Sequence, residues 1–147
     1  MHSDILINTP IEHLRILDIP KIKDPRGNLA VIEKDVIPFE IKRVYYLFDV
    51  PSGSYRGGHA HKELSQFVIA LSGSFDVILK DENGNERSIT LNNPSKGLLI
   101  TPGVWRELEN FSSGAICLVI ASNEYEEEDY IRDFDAYVSF KKLLLQK

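Results

Sequence analysis

Short apolar runs separated by turn-forming residues recur along most of this 147-residue chain. The runs are rich in β-branched and aromatic residues, which favour strands, and Gly, Pro, Asn or Asp residues stand between them. They occupy residues 14–19, 29–33, 43–48, 64–71, 75–80, 87–91, 97–100 and 115–121. This pattern predicts about eight to ten short antiparallel strands in an all-β sandwich or jelly roll.

Turn signals and the C-terminal spacing complete the predicted fold. Glu82-Asn83-Gly84-Asn85 stands between two β-type runs and predicts a hairpin, and Ser72-Gly73-Ser74 predicts another, tighter one. The acidic residues 126–129 suit a helix N-terminus, and the apolar spacing from Tyr137 to Leu145 predicts one short C-terminal helix. Because no internal repeat or linker is visible, residues 1–147 are predicted to form a single domain.

The charge balance limits the classes of partner. The formal net charge is -5, from 17 Lys and Arg against 22 Asp and Glu. No basic run is present to neutralise the phosphates of a nucleic acid, so no nucleic-acid partner is expected. A small phosphorylated ligand needs only one or two well-placed arginines and is compatible with this charge.

Cysteine usage and hydropathy bear on the compartment. Cys117 is the only cysteine, which excludes a disulfide within the chain, and its apolar neighbours predict a buried, unreactive thiol. The first residues lack the basic and apolar regions of a secretory signal, and no apolar run has the length of a membrane span. We therefore expect a cytoplasmic protein without a membrane partner.

Two histidines stand at the spacing that a strand needs to aim both at one site. Side chains alternate across a strand, so His59 and His61 leave the backbone on the same face. Gly57 and Gly58, just before them, allow a bend or a close approach. His2 and His13 lie apart near the N-terminus and are expected at the surface.

The spacing of Gly53, His59-Ala60-His61, Gln66 and Gly73 resembles the first motif of the cupin family, which carries three ligands of a metal ion. A later set of residues resembles the second cupin motif: Gly97, Pro102-Gly103, Arg106 and Asn110. The resemblance implies a cupin jelly-roll barrel of antiparallel strands.

Two of the four cupin ligand positions hold residues that do not suit a metal ion. The family's glutamate falls on Gln66, a weak neutral ligand, and its last histidine falls on Arg106, a permanent cation. A divalent ion held by two imidazoles opposite a guanidinium would lack both donors and charge neutralisation. We therefore expect no metal ion and no other cofactor, and we expect the histidines to carry out acid–base chemistry.

A finer resemblance, over nearly the whole chain, is to the sugar-nucleotide 3,4-ketoisomerases of the cupin superfamily, the WxcM-like family. Its specific part is the segment Arg56-Gly57-Gly58-His59-Ala60-His61-Lys62. The other matching segments are Asp24-x-Arg26-Gly27-x-Leu29, Arg43-Val44-Tyr45-Tyr46, Pro102-x-x-Trp105, and residues 122–133 with Tyr125, Asp129, Tyr130 and Arg132.

The resemblance implies a metal-independent isomerase in deoxysugar, amino-sugar and polysaccharide biosynthesis. Its reaction would convert dTDP-4-keto-6-deoxy-D-glucose to a dTDP-3-keto-6-deoxyhexose through an enediol(ate). Such a reaction needs a base with a pKa near neutral pH and a hydrogen-bond donor for the developing oxyanion. The resemblance implies His61 as the base at carbon and His59 as its partner for the oxygens, while the spacing alone leaves this division open.

Further site residues follow from the same resemblance. It implies Tyr46 as a phenolic donor or relay, and because Tyr45 and Tyr46 point to opposite sheet faces, at most one of them lines the barrel. Substrate contacts are predicted for Gln66 and for three arginines, since guanidinium groups match pyrophosphate oxygens. These arginines are Arg26, Arg56 and Arg106.

The three arginines differ in how they would reach the site. Arg106 stands at a former ligand position inside the barrel, and Arg26 lies in a turn from which it could extend. Arg56 would face away from His59 on a regular strand, so it joins the site only if the chain bends at Gly57-Gly58. The family contains members that give galacto and gluco products, and the sequence leaves the configuration at carbon 4 of the product open.

Three alternatives stay open at this stage. A 3,5-epimerase acting on a dTDP-4-keto sugar would need a different His–Asp arrangement, and a metal-dependent cupin would need a bound ion. A sugar-nucleotide-binding cupin would bind without turnover. The resemblance also implies a homodimer, in which Ile5-Leu6-Ile7 would pair with the sheet of a second subunit.

Overall fold

The apolar runs form two five-stranded antiparallel sheets in a computed structural model, which describes residues 9–146. Sheet 1 has the order β1 (Ile16–Asp18), β9 (Lys96–Ile100), β6 (Gln66–Ser72), β11 (Ile116–Ala121), β4 (Arg43–Leu47). Sheet 2 has the order β12 (Tyr130–Ile131), β5 (Arg56–His61), β10 (Trp105–Glu109), β7 (Phe75–Lys80), β8 (Glu86–Leu91). A separate ribbon consists of β2 (Lys21–Ile22) and β3 (Leu29–Ala30).

The main core contains the inward-facing side chains of both sheets. Phe75, Val77 and Leu79 of β7 are fully buried together with Leu98 of β9 and Cys117 of β11. Removing each large apolar side chain from water contributes about 1.5–3 kcal/mol to folding. The antiparallel all-β fold and the buried cysteine are both confirmed.

One predicted hairpin is confirmed and the other is wrong. β7 and β8 pair across Asn83-Gly84, where Gly84 has a φ of +83° and Asp81 Oδ1 accepts the amides of Asn83 and Asn85 at 2.9 Å. Ser72-Gly73-Ser74 instead carries the chain from sheet 1 to sheet 2, so the strands on either side of it do not pair. Buried residues on both β6 and β7 favour this crossing, because each strand covers the core from its own sheet.

The C-terminal helix, α1 (Phe134–Leu145), supports sheet 2 from outside. Asp133 caps its N-terminus by accepting the amide of Ala136 at 2.9 Å. Tyr137 of the helix packs with Ala60, Trp105 and Ile131, directly behind the histidine strand. The predicted C-terminal helix is therefore confirmed, although the acidic run before it forms a short 3₁₀ helix, Glu127–Asp129, and then β12.

Another 3₁₀ helix, Ile11–His13, precedes β1. The segment Ile5-Leu6-Ile7, for which intersubunit pairing was predicted, lies outside the described residues. Between residues 9 and 146, no helix has the length and apolarity that crossing a membrane would require.

A bulge interrupts β5 immediately before the histidines. The pairing between β10 and β5 shifts register between Arg106 and Glu107, and Gly57 and Gly58 have φ values of +105° and +63°. Gly57 lies so close to β10 that an added Cβ would stand 3.3 Å from the Glu107 Cα and the Leu108 nitrogen. The sequence therefore places glycine where the backbone turns left-handed against a neighbouring strand.

Gly57→Ala is expected to destabilise the protein more than Gly84→Ala. Each alanine would bear about 1–2 kcal/mol of left-handed backbone strain, but the added methyl group at Gly84 meets nothing within 4 Å. Close contact with β10 adds a cost of about 1 kcal/mol or more at Gly57. Urea denaturation measures both free energies of unfolding, and equal losses in the two variants would contradict the close-approach argument.

Candidate active site

His59 and His61 project from β5 to the same side, as the sequence predicts. Their ring centroids are 4.9 Å apart with the rings perpendicular, and His61 is fully buried. Ala60, between them, points the other way and packs in the cluster behind the strand. The pair is therefore held rigidly from behind while its rings face the interior of the barrel.

A cavity of about 540 Å³ opens beside these rings. Residues lining it are Arg43, Tyr45, Leu47, Arg56, Gly57, His59, Tyr125, Tyr130 and Arg132. A volume in this range suits a small-molecule ligand.

Four buried nitrogen atoms around the cavity lack hydrogen-bond partners among the described residues. They are His59 Nε2, His61 Nε2, Arg43 Nε and Arg106 Nη2. An unsatisfied buried polar group costs about 1–3 kcal/mol, so four of them in one region indicate that a polar ligand completes the site. Three of these residues, His59, His61 and Arg106, stand at cupin ligand positions, where the sequence predicts no metal ion.

Asp129 fixes the orientation and tautomer of His61. Its Oδ2 lies 2.9 Å from His61 Nδ1, and its Oδ1 accepts the backbone amide of Glu63 at 2.7 Å. An ionised carboxylate only accepts, so His61 Nδ1 carries the proton and Nε2 keeps its lone pair. Pairing of β12 with β5, which places Tyr130 opposite His61, brings this carboxylate into reach.

Both histidines are neutral at pH 7. Burial, with the nearby Arg106 cation, lowers the pKa of His59 to about 2. Burial also lowers the pKa of His61, to about 4, while the hydrogen bond to Asp129 opposes the shift. Burial raises the pKa of Asp129, but the hydrogen bonds from His61 and Glu63 outweigh this and leave the pKa below its ordinary value.

Arg106 lies inside the barrel as the cross-strand partner of His59. It is almost fully buried, donates from Nη1 to Gln66 Oε1 and donates from Nε to the Val104 carbonyl at 3.3 Å. Burial lowers the pKa of Arg106 to about 10, so the group stays positively charged at neutral pH. The two altered cupin ligand positions, Gln66 and Arg106, therefore bind each other.

This donor set does not fit a divalent metal ion, because a permanent cation stands where a ligand would be needed. Within residues 9–146, no three His, Cys, Asp or Glu side chains are grouped in a way that could hold a metal.

Tyr46, which the resemblance implies as a donor or relay, does not line the cavity. Tyr46 is 59% exposed and contacts Phe48 on the outer face of sheet 1, with ring centroids 5.8 Å apart. Tyr45 lines the cavity instead, and its hydroxyl lies 3.2 Å from Gln66 Nε2. The register of β4 on β11, which pairs Tyr45 with Val119, decides which of the two neighbours faces inward.

The structure separates the other two predicted arginines. Arg56 lines the cavity together with His59, because the bulge at Gly57-Gly58 turns the strand as the conditional prediction required. Arg26 does not line this cavity, and its contact with substrate stays a prediction. Its side chain is 90% exposed and is held by Asp24 at 2.8 Å in the turn between β2 and β3, a ribbon apart from both sheets.

Several cavity residues had no role assigned from the sequence. The Tyr130 ring lies 4.3 Å from the His61 ring and 5.3 Å from the His59 ring, and its hydroxyl accepts from Arg43 Nη2 at 3.2 Å. The Arg132 guanidinium stacks 4.1 Å above the Tyr130 ring. Tyr130 and Arg132 belong to the matching segment 122–133, but a strand of two residues gives no periodicity that could reveal its distant partner.

The low histidine pKa values make stability depend on pH. Below about 6.5 the unfolded chain takes up protons on these residues, while the native state excludes them until pH about 4 for His61 and about 2 for His59. Stability therefore falls as the pH drops below 6.5. His59→Asn is expected to flatten this slope between pH 6.5 and 4 by up to about 1.4 kcal/mol per pH unit, measured by denaturation at a series of pH values.

His13→Asn, a change at an exposed histidine on the first 3₁₀ helix, provides the control and should leave the slope unchanged. An unchanged slope in His59→Asn would show that burial does not keep this residue neutral.

Comparison with known proteins identifies relatives of the chain. The family model described as FdtA, WxcM-like, C-terminal, matches residues 12–142. A TDP-4-oxo-6-deoxy-alpha-D-glucose-3,4-oxoisomerase from Aneurinibacillus thermoaerophilus is 47% identical over 131 residues, which are 88% of this chain and 91% of the relative.

Two proteins of known structure are similar to this chain in both sequence and fold. The sugar 3,4-ketoisomerase QdtA from Thermoanaerobacterium thermosaccharolyticum, in complex with TDP, has a TM-score of 0.87 and 43% identity over 91% of this chain and 98% of its own. A histidine-to-asparagine mutant of QdtA has been solved with TDP-4-keto-6-deoxyglucose. The TDP-quinovose 3,4-ketoisomerase WlaRB from Campylobacter jejuni has a TM-score of 0.82 and 47% identity over 88% of this chain and 99% of its own.

A dTDP-4-dehydrorhamnose 3,5-epimerase from Bacillus anthracis has a TM-score of 0.72 at 16% identity, a likeness that concerns the fold alone. The predicted cupin-type barrel is confirmed by these neighbours.

Proposed function

This chain belongs to the FdtA family of WxcM-like proteins, and we propose that it is a 3,4-ketoisomerase of TDP-4-keto-6-deoxyglucose. The observation that carries the proposal is the neutral, buried His61, which Asp129 holds against His59 and Tyr130, two residues that line the cavity. Relatives that cover nearly all of the chain carry this activity in their names. The product is a TDP-3-keto-6-deoxyhexose.

His61 Nε2 removes the proton from carbon 3 of the sugar. The C–H electron pair becomes the carbon 3–carbon 4 double bond of an enediolate, and the former carbonyl electrons move onto oxygen 4. Oxygen 4 gains a proton, oxygen 3 loses one and becomes the new ketone, and His61 returns its proton to carbon 4. Asp129 suits His61 to this task, because the carboxylate keeps the proton on Nδ1 and stabilises the imidazolium that forms.

His59 is proposed to move the proton between oxygens 3 and 4. It has no carboxylate partner like that of His61, and its pKa of about 2 keeps it neutral. A neutral imidazole can accept a proton on one nitrogen while it donates from the other. Its Nε2, which lacks a partner among residues 9–146, is available for a sugar oxygen.

Arg106 is proposed to stabilise the enediolate. Its positive charge lies inside the barrel, and Nη2 has no partner among residues 9–146. A preorganised charge in a region without water stabilises a developing oxyanion more than it would in solvent. No proton needs to leave Arg106 for this role.

The arginines near the cavity mouth are proposed to bind the diphosphate. Arg56 and Arg132 line the cavity on the rim, and Arg43 lies deeper against Tyr45 and Tyr130. Arg56 makes no ion pair with any residue between 9 and 146, so its fork of donors is open to phosphate oxygens. Gln66 supports the site from within through its hydrogen bonds with Arg106 and Tyr45.

Incubation with TDP-4-keto-6-deoxyglucose in D₂O tests this function. We expect NMR to show the ketone at carbon 3 of the product, with solvent deuterium at carbon 4 in the molecules whose imidazolium proton on His61 exchanges with solvent before it is returned. His61→Asn should lose about 100- to 10,000-fold in kcat, because it lacks the base, while TDP binding measured by calorimetry is retained. His13→Asn should behave as the wild type.

Deuterium exchange at carbons 3 and 5, with the ketone still at carbon 4, would instead indicate a 3,5-epimerase. TDP-sugar binding with the ketone still at carbon 4 and no deuterium exchange would indicate a binding protein and would refute the enzymatic proposal.

We also propose a homodimer formed through the outer apolar face of sheet 1. The outer apolar face consists of Val44, Tyr46, Phe48 and Leu71, which are exposed, and Ile116 and Leu118, which are half-buried. Most of these residues surround one shallow cavity of about 590 Å³. A contiguous apolar patch on a soluble domain marks an interaction surface, and a second copy of the same face is self-complementary about a twofold axis.

Tyr46→Glu should convert the dimer to a monomer, as measured by size-exclusion chromatography with light scattering. Leu143→Glu, which changes another exposed apolar residue, on α1, should leave the mass unchanged. A monomeric wild type, or a dimeric Tyr46→Glu, would contradict the assigned interface.

The setting proposed for this reaction is cytoplasmic deoxysugar and amino-sugar biosynthesis for a polysaccharide. Support comes from the single buried cysteine, which needs no oxidising compartment, and from the substrate class of the relatives. A ketone at carbon 3 is the group that an aminotransferase would convert to an amine. The NMR assignment of the product therefore also tests this placement.

A further inference from the structure

Gln66 is a buried polar residue that links the Arg106 cation to the Tyr45 phenol. We infer that Gln66 is a positioning residue, which turns the hydroxyl proton of Tyr45 away from itself and toward a keto or enediolate oxygen of the substrate. The inference rests on the proposed function for the identity of that oxygen. The direction of the hydrogen bonds, in contrast, follows from the structure of the free protein.

The direction of the first hydrogen bond is fixed by Arg106. A guanidinium group has only donors, so the amide edge that faces Arg106 Nη1 must be the oxygen, Oε1. A flipped amide would place two donors against each other in a buried site. The NH₂ group of Gln66 therefore points the other way.

The second hydrogen bond follows from the first. Gln66 Nε2 lies 3.2 Å from the Tyr45 hydroxyl oxygen and can only donate to it. The Tyr45 oxygen is thus an acceptor in this contact, and its own proton must leave in another direction. Gln66 therefore accepts a hydrogen bond from Arg106 and donates one to Tyr45.

The surroundings of Tyr45 leave the cavity as the direction for that proton. Arg43, whose guanidinium carbon lies 4.9 Å from the centre of the Tyr45 ring, offers only donors, as Arg106 does. No acceptor for the Tyr45 hydroxyl is present among residues 9–146, and Tyr45 lines the cavity beside His59. Burial raises the pKa of Tyr45, so the phenol keeps its proton at neutral pH and can donate it.

Gln66→Glu tests the inference, because it replaces only the side-chain NH₂ group by an oxygen. A carboxylate accepts on both oxygens, so it would bind Arg106 on one side and accept the Tyr45 proton on the other. In Gln66→Glu the Tyr45 hydroxyl should turn toward the new carboxylate and away from the cavity. The kcat should then fall about 100-fold or more, as expected when a proton donor is lost. KM and the affinity for TDP should stay within about twofold of wild type, because the lost contact is one that stabilises only the transition state.

Further measurements distinguish the positioning role of Gln66 from a purely structural one. The new carboxylate is matched to a buried guanidinium, so the melting temperature of Gln66→Glu should not fall. Tyr45→Phe should lose kcat to a similar extent, and the double variant should lose no more than either single one. Assays contain EDTA, so that a metal ion bound by the new carboxylate and the histidines does not add chemistry.

Three outcomes would overturn the inference: a wild-type kcat in Gln66→Glu, losses that add fully in the double variant, or a TDP affinity that falls as much as kcat. Neutron diffraction from crystals exchanged in D₂O gives a test that is independent of turnover. It should place the deuteron of Tyr45 toward the cavity in wild type, and a deuteron directed at Gln66 would also overturn the inference. A wild type without ketoisomerase activity would refute the proposed function while this measurement still decided the orientation.

Discussion

The site depends on a positive charge that is buried inside the barrel without a carboxylate salt bridge among the described residues. Arg106 is bound by the neutral oxygens of Gln66 and Val104, so its charge is oriented but not cancelled. This charge disfavours protonated histidines and a metal ion, and it favours an anionic ligand. A cupin-type barrel thereby gains an electrostatic centre suited to an enediolate instead of one suited to a divalent cation.

The two histidines differ because their neighbours differ. They share a strand, a face and the field of Arg106, but Asp129 contacts only His61. The carboxylate selects the Nδ1–H tautomer of His61 and opposes the loss of its basicity, whereas burial acts on His59 almost unopposed. This difference supports the proposed division of work between His61 at carbon and His59 at oxygen.

Placement of these groups relies on sheet 2 and the helix behind it. β10 supplies Arg106, β12 brings Asp129 and Tyr130, and the bulge of β5 adds Arg56 to the cavity. Tyr137 of α1 further ties the segment to the turn before β10, because its hydroxyl donates to the Gly103 carbonyl at 2.9 Å and the Gly103 amide donates to the His61 carbonyl at 2.8 Å. A rigid backbone on this side allows reacting groups to be positioned without a ligand.

Local patterns in the sequence determined the antiparallel strands, the Asn83-Gly84 hairpin and the shared face of His59 and His61, because side-chain alternation and turn geometry involve only near neighbours. The substitutions at Gln66 and Arg106 likewise predicted a site unsuited to metal. Only the tertiary structure placed Tyr45 inside and Tyr46 outside, left Arg26 in an exposed turn, and brought Asp129 to His61 across 68 residues of chain. These outcomes depend on strand register and on pairing between distant segments, for which a periodicity of two residues carries no information.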